Sequence, residues 1–106
     1  MTPGKAASQA GHAFLGSFLS SQSSRPEVAR AYAADLPGTK VALTASYSHL
    51  LRAADLCASS GIPHFLVVDS GCPDFFGGEP TVTALGFGPA TRDEVEHITK
   101  RLRLIP

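Results

Sequence analysis

The sequence predicts an α/β fold, a three-layer α-β-α arrangement around a small mixed, partly parallel sheet with three visible strands. Three observations carry that expectation. His64-Phe65-Leu66-Val67-Val68-Asp69 is an almost continuous apolar run, the pattern of a strand buried on both faces. Lys40 to Ala45 alternates, and a helical stretch separates it from that run. Strand, helix, strand at this spacing implies a right-handed crossover between parallel strands. Finally, Ala6, Ala10, Ala13 and Phe14 form a small-residue helical face able to pack on a sheet.

The elements follow in order. Thr2 is a good N-cap and Pro3 suits the first helical position, so a first helix is predicted from about Pro3 to Leu19. Ser20 to Ser24 reads as a polar break. Pro26 opens a second helix through about Ala34, and Pro37-Gly38 stops it. The strand Lys40 to Ala45 puts Val41, Leu43 and Ala45 on one face. Ser46 caps a third helix, roughly Ser48 to Ser60, with Leu50, Leu51, Ala54 and Cys57 inward, and Gly61 closes it. After the His64–Asp69 strand, a Gly- and Pro-rich loop from Ser70 to Pro80 leads to a third strand, Thr81 to Phe87. Thr91 with Glu94 forms a capping box for a last helix through about Arg101. The apolar tail Leu102 to Ile105 is expected to dock on the core.

With 106 residues the chain is long enough for one domain, 1–106, and one core. Hydrophobic content of 43% against 17% charged residues excludes a disordered segment. A formal net charge of zero excludes general electrostatic attraction to nucleic acid, while Lys100, Arg101 and Arg103 provide a local basic cluster. The two cysteines, Cys57 and Cys72, have no CxxC spacing and read as reduced thiols of a cytoplasmic protein. No apolar run approaches the ~20 residues of a membrane span, and Gly11, His12, Gly16 and Ser17 dilute the only stretch that resembles a leader.

The chemistry gathers in two places. Lys5, Gln9 and His12 fall at i, i+4 and i+7 and project from one side of the first helix. A cation in a first helical turn sits at the unfavourable end of the helix dipole, which argues for a partner or a task. A histidine so placed is most often partly buried and hydrogen-bonded. Asp69 ends a strand beside a glycine turn, where open α/β sheets place their ligands, although a strand-end carboxylate is also a common turn cap. Cys72 has no following helix to lower its pKa, so thiol catalysis is not expected. His49, His64 and His97 lack ligand spacing with any cysteine or acid, so neither a metal nor another cofactor is expected. Gly4-Lys5-Ala6 lacks the remainder of a phosphate loop.

Several segments, in one order along nearly the whole chain, resemble the type II (archaeal and eukaryotic type) peptidyl-tRNA hydrolase family. Gly4-Lys5-Ala6-Ala7-Ser8-Gln9-Ala10-Gly11-His12-Ala13 looks like the family's Gly-Lys-x-Ala-x-Gln-x-x-His-Ala signature. Lys40-Val41-Ala42-Leu43 resembles its second strand, and Gly61-Ile62-Pro63 through Asp69-Ser70-Gly71 its third strand and Asp-Ala-Gly corner. Thr81 through Ala90 resembles its Thr-Val-Leu-x-Ile-Gly-Pro-Ala segment, and His97 to Leu104 matches its ending loosely. Two departures stand out. The family has a Val-rich strand ahead of the Gly-Lys helix, so a segment upstream of Met1, or a partner chain such as a second copy, is expected to complete the sheet. The family also continues its Asp-x-Gly corner with Arg-Thr, where this chain has Cys72-Pro73-Asp74.

The resemblance implies hydrolysis of the ester joining a nascent peptide to tRNA. That chemistry needs a positioned water, a group to orient it, and a donor for the developing oxyanion. Lys5 and Asp69 are the expected catalytic pair, Lys5 for the oxyanion or the terminal ribose-phosphate and Asp69 for the water or for Lys5 itself. Gln9, His12, Ser70, Gly71, Asp74, Lys100 and Arg101 are the expected substrate-binding residues, with tRNA as the partner. The lost Arg-Thr pair leaves two other readings: a non-catalytic binder of tRNA or RNA ends, and an esterase or amidase on another acyl substrate.

Overall fold

The computed structural model describes residues 2–69 and 81–106. The described elements are α1 (Pro3–Ser24), α2 (Pro26–Ala34), β1 (Leu43–Thr44), α3 (Tyr47–Ser60), β2 (His64–Asp69), β3 (Thr81–Phe87), α4 (Arg92–Thr99) and β4 (Arg103–Leu104). The α/β expectation holds. The strands form two antiparallel pairs, β1 with β4 and β2 with β3. The parallel pairing anticipated across α3 is therefore not made among the described residues. The segment before α3 contributes only two strand residues, Leu43 and Thr44, and these take the C-terminal tail as their partner.

β2 and β3 are the centre of the molecule. Their register runs from His64 opposite Phe87 to Asp69 opposite Thr81, with one irregularity at Val67/Val68 that leaves Thr83 as the extra residue on β3. α1 covers one face of this ribbon, and α3 approaches the other. On the α3 side Ala53, Cys57, Ile62 and Ile98 form the buried cluster, with Leu56, Leu85, Phe87, Ala90 and Val95 packed against it. Leu50 is half-buried, but Leu51 points outward, because the inward stripe of α3 runs through Ala53, Ala54 and Cys57.

The approach of α1 is close because glycine sits at the contact. A Cβ on Gly86 would lie 2.0 Å from the Ala13 carbonyl oxygen, and one on Gly16 would lie 2.3 Å from the Phe65 ring. Ala13 is buried at this seam. Farther along α1, the Ser17 hydroxyl donates to the Gly88 carbonyl at 2.5 Å, with the Pro63 carbonyl 3.3 Å away. α1 thus runs antiparallel to β2, its first turns beside Asp69 and its fifth turn beside Pro63.

α1 continues through the serine tract that the sequence reads as a break. Ser21 is fully buried and its hydroxyl is bonded to the Phe18 carbonyl, and Ser24 bonds the Ser20 carbonyl, so the hydroxyls return to the helix instead of competing with it. Arg25 ends the helix and reaches Glu94 of α4 at 2.7 Å. The capping box of α4 forms as expected, with Thr91 and Glu94 exchanging side-chain to backbone bonds. α4 stops at Thr99, short of Arg101. The tail makes backbone pairs with β1 and leaves Leu104 and Ile105 exposed, instead of docking them on the core.

β2 also departs from expectation. A strand buried on both faces would hide Phe65 and Val68, yet they are 44% and 54% exposed. β3 is its only neighbour among the described residues, so one edge of β2 has no strand against it.

Candidate functional site

The N-terminal turns of α1 meet the C-terminal end of β2, and the polar groups singled out in the sequence meet there. Thr2 caps α1 by accepting from the Lys5 backbone N–H at 3.1 Å, which anchors the first turn. The Lys5 Nζ lies 2.8 Å from Asp69 Oδ2. One turn later, Gln9 Nε2 donates to the same oxygen at 3.3 Å. Asp69 is 6% exposed at its side chain, and Gln9 is likewise buried. Two donors on one carboxylate oxygen offset the cost of burying that charge. The Lys5 side chain stays 27% exposed.

His12, another turn along, lines the same groove but is exposed, against the expectation of a partly buried, satisfied histidine. Beyond it the groove becomes apolar, bounded by Leu15, Gly16 and Leu19 of α1 and by Phe65, Val67 and Val68 of β2. Its volume is about 900 Å³. Phe65, Val67 and Asp69 share one face of β2 and Val68 belongs to the other. No β3 residue lines the groove. It therefore opens along the edge of β2 that β3 leaves uncovered.

The remaining expected residues fall elsewhere. Ser70, Gly71 and Asp74 lie outside the described residues, as does Cys72. Lys100 and Arg101 are exposed just past α4, and Lys100 borders a separate small cleft with Asp93, Glu96 and His97. Neither lines the Lys5–Asp69 groove. The apolar half of the groove was not anticipated; the exposed Leu15 and Leu19, four residues apart beside the polar stripe, were its only sequence signal. Cys57 is fully buried, and burial pushes its thiol up to about 11, so it stays protonated and plays no part in the site. Among the described residues no three His, Cys, Asp or Glu side chains gather as a metal site requires.

Chemically, the polar end presents a fixed cation beside a buried carboxylate, with an amide and an imidazole in line. This arrangement can orient a water and offer N–H donors to a carbonyl oxygen gaining charge.

Comparison with known proteins agrees with this chemistry. The family model for peptidyl-tRNA hydrolase PTH2 matches residues 1–105. The chain is similar to a protein of Methanopyrus kandleri named peptidyl-tRNA hydrolase, 33% identical over 105 residues that cover 99% of this chain and 88% of the relative. It is also similar to a protein of the same name from Methanothermobacter thermautotrophicus, 34% identical over 107 residues, covering 99% of this chain and 89% of the relative. A third, from Methanocaldococcus jannaschii, is 27% identical over 105 residues.

Proposed function

Because this chain belongs to the peptidyl-tRNA hydrolase PTH2 family, we propose that the Lys5–Asp69 pair is where its reaction, hydrolysis of the ester of peptidyl-tRNA, takes place. The observation that carries this assignment is the 2.8 Å ion pair between the partly buried Lys5 and the buried Asp69 carboxylate at the mouth of a groove. Asp69 holds Lys5 and orients the attacking water. The water oxygen bonds to the ester carbonyl carbon, and the carbonyl oxygen takes up negative charge facing the Lys5 ammonium. The bond from that carbon to the terminal ribose oxygen then breaks. One water proton ends on the ribose oxygen as its hydroxyl and the other, left on the peptide acid, is released to solvent, so free tRNA and a peptide carboxylate leave. Gln9 braces Asp69, and exposed His12 meets the substrate.

The partner is tRNA, and the single domain 1–106 acts in the cytoplasm. No helix among the described residues is long and apolar enough to cross a membrane. Ser70, Gly71 and Asp74 complete the substrate contacts after Asp69, and Lys100 with Arg101 supply phosphate contacts away from the groove. A further strand of protein, from a second copy or from residues upstream of Met1, completes the sheet beside β2.

The test is deacylation of a peptidyl-tRNA followed on acid gels. Lys5→Ala and Asp69→Asn, each shown to be folded by circular dichroism, should lower kcat/KM by about 100-fold or more. Full rates in both folded variants would remove these residues from the reaction.

A further inference from the structure

We propose that Thr81 is a further catalytic residue of this reaction: its hydroxyl, at the head of β3, holds the attacking water together with the Asp69 carboxylate. The inference rests on the Lys5–Asp69 assignment and deepens it. Asp69 ends β2 and Thr81 begins β3, and the two are direct partners in the antiparallel ladder. Residues so paired stand on one face of the sheet, with Cβ atoms about 4.5–5.5 Å apart. That face is the one under α1. Asp69 meets Lys5 and Gln9 of α1 there, and farther down Phe65 lies against Gly16. The β3 residues opposite Phe65, Val67 and Asp69 are Gly86, Ala84 and Thr81.

The register irregularity decides which β3 residue holds that place. Strict alternation from Gly86 through Ala84 would bring Val82 opposite Asp69, an isopropyl group with nothing to offer a water. The extra residue, Thr83, shifts the strand by one. Val82 falls opposite Val68, and Thr81 takes the position beside Asp69. The displaced Thr83 has its hydroxyl 3.5 Å from the Val67 carbonyl oxygen. Thr81 is half-buried, next to an Asp69 side chain that is 6% exposed, so its hydroxyl is sheltered from bulk solvent. A carboxylate and a hydroxyl at this separation can bridge one water. The water gives one O–H to Asp69 and the other to Thr81 Oγ1, which aims its lone pair at the ester carbon. Thr81 keeps its own proton, and no covalent bond to it is made or broken.

The experiment compares peptidyl-tRNA hydrolysis by the native chain with Thr81→Val, which keeps the β-branched shape, and Thr81→Ser, which keeps the hydroxyl. Thr81→Val should lower kcat about tenfold or more with little change in KM and a Tm close to native, and Thr81→Ser should recover kcat to within about threefold. Moving the hydroxyl by one residue, in Thr81→Val with Val82→Thr, should leave the enzyme as slow as Thr81→Val alone. In an Asp69→Asn background Thr81→Val should cost little more, because both groups hold one water. If Thr81→Val fails to fold, Thr81→Ala takes its place against Thr81→Ser: alanine slow and serine near native supports the role, and equal rates overturn it. Native kcat in folded Thr81→Val, a Thr81→Ser enzyme as slow as Thr81→Val, or rescue by Val82→Thr would overturn the proposal while leaving the Lys5–Asp69 reaction in place. Full rates in folded Lys5→Ala and Asp69→Asn would instead bring down the underlying reaction.

Discussion

At the scale of single residues, the site depends on one carboxylate oxygen serving two donors. Asp69 Oδ2 takes Lys5 at 2.8 Å and Gln9 at 3.3 Å, and the two donors are one helical turn apart. The sequence shows that stripe directly, because the i, i+4, i+7 spacing of Lys5, Gln9 and His12 depends only on their forming a helix. It shows Asp69 only as the end of an apolar run; that Lys5 and Asp69 meet is a long-range fact which the family resemblance implied and local pattern could not. His12 was misjudged because exposure depends on what lies opposite, and opposite it is a groove. A second residue-scale consequence concerns Glu94. The Thr91 backbone N–H, then Arg25, hold its carboxyl below the usual value. Its folded-state pKa is lowered, so its contribution to stability is present above the ordinary glutamate range and is lost as pH falls through the depressed value. The gap in Tm between the native chain and Glu94→Gln should be widest near neutral pH and close progressively below about pH 4. A gap independent of pH would assign the effect to packing instead of charge.

At the scale of elements, α1 is the piece that builds the site, and Gly86 sets its height above the sheet. A methyl at Gly86 would sit 2.0 Å from a backbone oxygen of Ala13, which cannot swing aside. Gly86→Ala should therefore cost about 1–3 kcal/mol or more in denaturant unfolding and also reduce kcat, since raising α1 parts Lys5 from Asp69. Gly16→Ala meets the ring of half-exposed Phe65, which can rotate, and should cost less. Equal costs at the two positions would show that α1 is not seated on β3 as described. The caps and stops of the helices were legible: Thr2, Ser46, Gly61 and the Thr91–Glu94 box all act as their residue types suggest. The serine tract was not, because burial of Ser21 and back-bonding of its hydroxyl are tertiary effects that override propensity. Nor was the short β1, whose alternation promised six residues and whose pairing with the tail yields two.

At the scale of the whole molecule, the fold places a helix N-terminus and a strand C-terminus at one location. The polar end of the groove, Lys5 with Asp69 and Gln9, suits ester chemistry. The α/β class was readable from composition and periodicity, but sheet order was not. Strand neighbours are chosen by distant segments, and here Leu43–Thr44 turned to the C-terminal tail while β2 pairs, among the described residues, with β3 alone. The apolar run of β2 suggested cover on both faces, and the structure leaves Phe65 and Val68 at an opening instead. The central claim is that Lys5 and Asp69 act as one unit on the ester. A double-mutant cycle on kcat/KM for peptidyl-tRNA tests it most directly, with Lys5→Ala, Asp69→Asn and the pair, all verified as folded. The account predicts strong non-additivity, the double variant being about as slow as either single one. Losses that simply multiply, or folded variants at full rate, would contradict it.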